Sequence, residues 1–121
     1  MEPINVVLFQ HDAGMAQSLA ACLSHHSRSV HMASDSNEIR PAISRYRANV
    51  LVLDLERSGL KDVQELHREF PGLSIVCTHR LADEELWAEA LRSGASDMCV
   101  PNRTDDIVRS VLGELAQRAA A

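Results

Sequence analysis

Asp54 is the residue of this sequence whose type and position point most directly to chemistry. It ends the segment VLVLD at residues 50–54, whose apolar part has the character of a strand buried on both faces. Open α/β sheets bind ligands and carry out chemistry at the C-terminal ends of their strands. We therefore expect the Asp54 carboxylate to leave the core for solvent there, where it can serve as a nucleophile or a ligand.

Other reactive groups follow two further apolar runs. Gln10, His11 and Asp12 come directly after the first run, and Thr78 follows the run at 73–77. With Asp54 they form a predicted polar rim. His11 beside Asp12 is a candidate ligand of a transition metal such as zinc, and a surface histidine hydrogen-bonded to a carboxylate is the plainer interpretation.

Alternating strands and helices must position these groups. The sequence predicts five strands, at 4–9, 29–33, 50–53, 73–77 and 97–100. Segments with helical periodicity separate them, at 13–23, from about 40 to 46, at 62–70 and at 83–92, and a last helix begins near 105 after Thr104 as its cap. Strand–helix alternation predicts a parallel α/β sheet.

Length, charge and hydropathy limit the classes of function. The chain of 121 residues predicts one domain over 1–121, and no apolar stretch approaches the ~20 residues of a membrane span. A net charge of −5 argues against direct nucleic-acid binding. The N-terminal residues lack a signal-peptide pattern, so we expect a cytoplasmic protein. Cys22, Cys77 and Cys99 are expected to be small buried hydrophobic residues rather than disulfide partners.

The order of elements and two segments resemble the receiver domain of two-component response regulators. These segments are VLVLD at 50–54, with Gly59 following, and ADEEL at 82–86, which runs on to ALRSGASD at 90–97. The resemblance covers nearly the whole chain. It implies a doubly wound (βα)5 flavodoxin-like sandwich of three layers with strand order 2-1-3-4-5.

The resemblance also implies roles for individual residues. Asp54 takes the position of the phosphate acceptor, and Thr78 takes that of the hydroxyl that contacts the phosphoryl group. Asp12 and Asp54 take metal-binding positions for Mg²⁺. Phosphotransfer of this kind needs a carboxylate nucleophile and cations around the phosphoryl oxygens.

The sequence departs from the family pattern at three places. Gln10 and His11 replace the acidic pair after the first strand, which removes charge that would hold Mg²⁺. The segment Val100-Pro101-Asn102 takes the place of the family's Lys-Pro, with either Val100 or Pro101 opposite the lysine, so the lysine is absent and Arg80 is a candidate substitute. Met98 lies near the aromatic switch position. These departures favour an atypical receiver that works without phosphorylation.

The partners implied by the resemblance are proteins. They are a histidine kinase or another signalling protein, an output domain of the LuxR/NarL type in the same or another chain, and a second copy in a homodimer. We expect a transcription-regulating switch and not an enzyme. The positions predicted for protein contacts are Trp87, Arg92, Arg103 and Arg109, and packing on Leu91 is an equal interpretation for Trp87.

Two other classes of function stay open on the sequence. In the first, the same fold serves as a protein-interaction or small-molecule-binding module, and the rim around Asp54 takes an uncharged or cationic ligand. The second is a hydrolase with Asp54, His11 and Thr78 as nucleophile, base and donor. No Gly-x-Ser-x-Gly motif supports the hydrolase, and no glycine-rich loop supports a nucleotide.

Overall fold

Five strands form as predicted, each within one residue of the expected ends. The computed structural model describes residues 4–10 and 12–120, with side chains described up to residue 113. The strands are β1 (Asn5–Phe9), β2 (Ser29–Met32), β3 (Val50–Asp54), β4 (Ser74–Thr78) and β5 (Asp97–Cys99). Runs of branched and aliphatic residues form them because such side chains pack well on a pleated surface.

The strands build one parallel sheet with the order β2-β1-β3-β4-β5. This confirms the predicted doubly wound topology. The register pairs Phe9 with Leu53 and Asp54 with Thr78. The ends of β1, β3 and β4 therefore meet at the same edge of the sheet.

Six α-helices connect the strands or follow them in the described chain. They are α1 (Ala13–Ser24), α2 (Ile39–Tyr46), α3 (Leu55–Ser58), α4 (Leu60–Glu69), α5 (Glu84–Ser93) and α6 (Thr104–Ala120). Four of the predicted helices appear with small shifts at their ends. The fifth, α6, includes Thr104, which was expected to precede it as a cap.

Two helical segments differ from the prediction for identifiable reasons. The helix α2 begins at Ile39, one residue before the predicted start near Arg40, and an unpredicted 3-10 turn at Ser36–Glu38, capped by Asp35, leads directly into it. Pro41 thus lies in the first turn of α2, where its missing N–H needs no partner. The short helix α3 was not predicted, because four residues are too few to show a periodicity.

Alternate residues of the strands form two cores, one on each face of the sheet. Val7, Leu51 and Ile75 face α2, α4 and α5, whereas Val6, Val52 and Val76 face α1 and α6. Both sets are fully buried. The three layers explain why the strands are apolar on both faces rather than alternating with polar residues.

The prediction for the cysteines was right for two of the three. Cys77 and Cys99 are buried free thiols, but Cys22 is exposed. On α1 the buried positions are Ala16, Leu19 and Leu23, and Cys22 lies beside that stripe rather than in it. Over the part of the chain that the structure describes, no helix is long and apolar enough to span a membrane.

Candidate functional site

Three predicted site residues meet where β1, β3 and β4 end. Gln10 directly follows β1, Asp54 ends β3 and Thr78 ends β4. Because β3 lies between the other two strands, Asp54 occupies the middle of this edge. The sheet therefore brings together Gln10, Asp54 and Thr78, as the sequence predicts.

The Asp54 carboxylate does not extend into solvent, contrary to the prediction. The residue is only 3% exposed. Its Oδ1 accepts a hydrogen bond from the backbone N–H of Glu56 at 3.0 Å and so caps α3. The unpredicted helix accounts for this position, because Asp54 is its N-cap and Leu55, its first residue, packs in the core.

Gln10 and Thr78 are bonded to each other through their side chains. Gln10 Nε2 donates to Thr78 Oγ1 at 3.2 Å, and Thr78 Oγ1 lies 3.3 Å from Gln10 Oε1, to which it can donate in turn. Gln10 Nε2 also donates to the carbonyl oxygen of Phe9 at 3.1 Å. Thr78 is completely buried and Gln10 is 8% exposed. The hydroxyl at the predicted phosphate position is thus already occupied by an amide.

Asp12 lies at the rim of the same site. It is exposed, and its Oδ1 accepts a hydrogen bond from the backbone N–H of Met15 at 3.0 Å, which caps α1. His11, which the sequence made a candidate metal ligand, base or rim residue, lies outside the described residues. Asp12, the one acid that the sequence predicts near Asp54, therefore lies at the site, and one of its carboxylate oxygens caps α1.

A cavity of about 390 Å³ opens beside Asp54. Val100 and Pro101 line it, so apolar side chains stand where the family would supply a lysine. Sequence reasoning missed three of its residues: Glu56 follows the end of β3 by two positions, Asn102 follows the end of β5 by three, and Met15 lies further on, in α1. The full lining is Gln10, Asp12, Met15, Asp54, Glu56, Arg80, Val100, Pro101 and Asn102.

Arg80, the proposed substitute for the lysine, pairs with Glu56 rather than with Asp54. Its Nε lies 2.9 Å from Glu56 Oε1, and its backbone N–H donates to Oε2 at 3.4 Å. The hydrogen bond from the Arg80 side chain lowers the pKa of Glu56 from its ordinary value. In the part of the chain that the structure describes, no lysine or arginine forms an ion pair with Asp54.

These residues do not fit the magnesium ion that the family resemblance implies. Asp12 and Asp54 each use one carboxylate oxygen to cap a helix, and the amide of Gln10 is directed to Thr78. Among the described residues, no three His, Cys, Asp or Glu side chains form a group that could hold a metal ion. Mg²⁺ is usually held by one or two carboxylates together with bound water in octahedral geometry, and here both carboxylates already cap helices while a neutral amide takes the place of a third acid.

A second cavity, of about 550 Å³, lies between β5 and α6. Asp97 of β5 connects α5 and α6 at this cavity. Its Oδ1 accepts hydrogen bonds from the backbone N–H of Met98 at 2.8 Å and from the Trp87 indole of α5 at 3.4 Å. Its Oδ2 accepts a hydrogen bond from the Ser110 hydroxyl of α6. Trp87 remains 45% exposed. This bond to Asp97 orients Trp87 and was not predicted.

The comparisons with known proteins identify the fold. No protein-family model matches the sequence, and no curated protein matches it. Solved structures do match: the N-terminal signal receiver domain of a two-component response regulator from Bacteroides fragilis aligns with a TM-score of 0.82 at 20% identity, over 93% of this chain and 96% of that chain. The chain has the receiver fold.

Two further response regulators, one with a longer chain and one described as DNA-binding, share this fold. The RcsB response regulator from Salmonella typhimurium aligns with a TM-score of 0.84 at 18% identity, over 97% of this chain, which spans 61% of the RcsB chain. A DNA-binding response regulator of the LuxR family from Staphylococcus aureus aligns with a TM-score of 0.75 at 13% identity, over 91% of this chain and 97% of that chain. The predicted fold class is confirmed.

Proposed function

We propose that this chain is a receiver domain of a two-component response regulator in which Asp54 keeps the acceptor position but switching does not depend on its phosphorylation. The hydrogen bonds between Gln10 and Thr78 carry this proposal. They place a neutral amide where the family has an acid and engage the hydroxyl that would contact a phosphoryl group. The acid position and the hydroxyl position of the usual phosphate site are therefore both altered by the same pair of hydrogen bonds.

The charges around Asp54 support the same proposal. Transfer of a phosphoryl group needs cations close to the oxygens that carry its charge. Arg80 is the one cationic side chain among the described residues that line the cavity, and it is paired with Glu56. A phosphorylated Asp54 would gain negative charge beside Asp12 and Glu56 without a new cation to balance it.

In this proposal residues 1–121 form one domain of a cytoplasmic signalling protein, which switches by binding and not by turnover. Its partners would be a histidine kinase or another signalling protein and an output domain, of which the LuxR/NarL type is our proposal. The net charge of −5 favours indirect rather than direct contact with nucleic acid. A partner or a ligand would shift the equilibrium between two conformations by binding one of them more tightly.

Intact-mass analysis after incubation with acetyl phosphate tests the proposal. We expect no added phosphoryl group with or without Mg²⁺. The Asp54→Asn variant is the control for the site, and Asp83→Asn, which alters the helix-capping aspartate of α5, is the control for labelling elsewhere. A magnesium-dependent mass gain that Asp54→Asn abolishes and Asp83→Asn retains would overturn the proposal.

A further inference from the structure

The cavity beside Asp54 has more acidic than basic groups in its lining. Three carboxylates line it, from Asp12, Asp54 and Glu56, and Arg80 is the one cationic side chain among its described lining residues. Arg80 is paired with Glu56, and no described lysine or arginine forms an ion pair with either of the other two carboxylates. This charge favours a cationic ligand over an anionic one.

The burial of Asp54 and its open carboxylate oxygen are a second observation. The residue is only 3% exposed, yet the one hydrogen bond to its carboxylate from the described residues is that of the Glu56 N–H to Oδ1, and Oδ2 accepts none. Buried carboxylates are normally paired with a cation or fully hydrogen-bonded. Because Asp54 lines the cavity, a ligand there can supply the missing partner.

The remaining walls indicate which kind of cation fits. Met15, Val100 and Pro101 present apolar surface to the cavity, and Asn102 adds a neutral amide. A small metal ion would need several oxygen ligands and bound water, and it would gain nothing from the apolar wall. The volume of about 390 Å³ is within the range of sites for small organic ligands.

We propose that this cavity binds a small organic cation, a primary ammonium or guanidinium group carried on a short aliphatic chain. The charged group contacts Asp54 and Asp12, and the aliphatic chain packs on Met15, Val100 and Pro101. This site rests on the proposed function, since the ligand takes the role of signal that phosphorylation has in the family. The ammonium N–H groups donate to the carboxylate oxygens that the helix caps leave open.

A series of four-carbon probes separates charge from apolar contact. We would titrate the ¹⁵N-labelled protein with n-butylammonium, n-butylguanidinium, n-butanol and butyrate, and record its amide spectrum. The two cations should shift the side-chain amide signal of Asn102 and the backbone amide signal of Glu56, with saturation at about millimolar concentration, as expected for ligands this small. Butanol and butyrate should leave both signals unchanged.

Variants then locate the site. Asp54→Asn should weaken n-butylammonium binding about tenfold or more, because it removes the charge and keeps the shape. Val100→Lys should abolish binding, since it adds a competing ammonium group. Asp83→Asn, which alters a capping aspartate outside the cavity, should leave the affinity unchanged. If Asp54→Asn fails to fold, Asp12→Asn decides, because Asp12 is exposed, and a loss of about threefold or more is expected.

The outcomes distinguish this inference from the proposed function. Absence of saturable shifts with n-butylammonium, equal shifts with n-butanol, or unchanged affinity in the decisive aspartate variant would overturn the cation site. None of these results would alter the acetyl phosphate result. Conversely, phosphorylation of Asp54 would overturn the proposed function, while selective binding of the two cations would still support the site.

Discussion

The side chains of Gln10 and Thr78 are hydrogen-bonded across the end of β3, with Gln10 Nε2 3.2 Å from Thr78 Oγ1. The two residues are 68 positions apart in the chain and lie at the ends of β1 and β4, which do not pair directly. Asp54 ends the strand between them. One neutral bridge therefore fixes the two residues that flank the acceptor position.

This bridge should be measurable as a coupling free energy. Gln10→Ala and Thr78→Val should each lower the free energy of unfolding by about 1–3 kcal/mol, because each leaves a buried polar group without its partner. In urea titrations the double variant should lose less than the sum, by about 1 kcal/mol. Gln64→Ala, on an exposed position of α4, should change the value by less than about 0.5 kcal/mol. Strict additivity of the two changes would contradict the bridge.

Restoring the family residues should restore phosphorylation. We expect the triple variant Gln10→Asp, His11→Asp and Val100→Lys to gain one phosphoryl group from acetyl phosphate in the presence of Mg²⁺. The two acids supply ligands for the ion, the lysine supplies a cation, and loss of Gln10 frees the Thr78 hydroxyl. Intact mass with and without Mg²⁺ measures the gain.

Two further variants control this experiment. Adding Asp54→Asn to the triple variant should remove the mass gain. The single variant Val100→Lys should show none, because the ion site would still be incomplete. If the triple variant folds but takes up no phosphoryl group, then the burial of Asp54, rather than its neighbours, prevents the reaction.

The edge of the sheet could be predicted from the sequence, because apolar runs determine it. The apolar run at 50–53 predicts the strand, and Asp54, which directly follows the run, is thereby placed at the strand end between Gln10 and Thr78. What the runs do not encode is burial of the carboxylate, which depends on α3. The sequence holds a weak signal for this helix: Asp54 as its cap, Leu55 as an apolar anchor and Gly59 at its end, with φ of 90°.

Side-chain partners were less predictable than positions. The Gln10 amide bonds to Thr78, and Arg80 pairs with Glu56. Which partner each side chain takes depends on distances of a few ångströms, and the periodicity of the sequence gives no information on such distances. The exposed Cys22 shows the same limit. It has apolar neighbours in sequence, but a rotation of about 100° per residue places it beside the buried stripe of α1.

The buried thiols should make stability depend on alkaline pH. Burial raises the pKa of Cys77 from 9.0 to about 12, so the folded state keeps this proton when the unfolded state loses it. The stabilising contribution is complete below the unfolded pKa of 9.0 and is lost as the pH rises toward 12. The free energy of unfolding should therefore fall as the pH rises above 9.0.

A cysteine variant isolates this effect from other alkaline titrations. Between about pH 10 and 11, the stability of Cys77→Ala should fall less steeply than that of the unmodified chain, by at most about 1.4 kcal/mol per pH unit. Urea titrations at each pH provide the slopes. Cys22→Ala, at an exposed position, should keep the original slope. Equal slopes for the chain and Cys77→Ala would show that the thiol ionises as readily when folded.

Gly94 ends α5 in a conformation that other residues rarely adopt. Its φ is 115°, and a Cβ atom at this position would lie 2.5 Å from Cγ of His67 on α4. Gly94→Ala should therefore lower the free energy of unfolding by about 2 kcal/mol or more, from backbone strain and the clash together. Thermal and urea unfolding measure the loss.

Two comparisons separate the causes of that loss. Gly113→Ala lies inside α6 with nothing within 4 Å of its Cβ, and it should raise stability by about 0.5–1 kcal/mol because alanine favours a helix. Gly94→Ala should lower the free energy of unfolding less in the His67→Ala background than in the unmodified chain. In that background the clash is absent, and only the backbone strain remains. An equal cost in both backgrounds would assign the whole effect to the backbone, and α4 and α5 would then not constrain each other at this position.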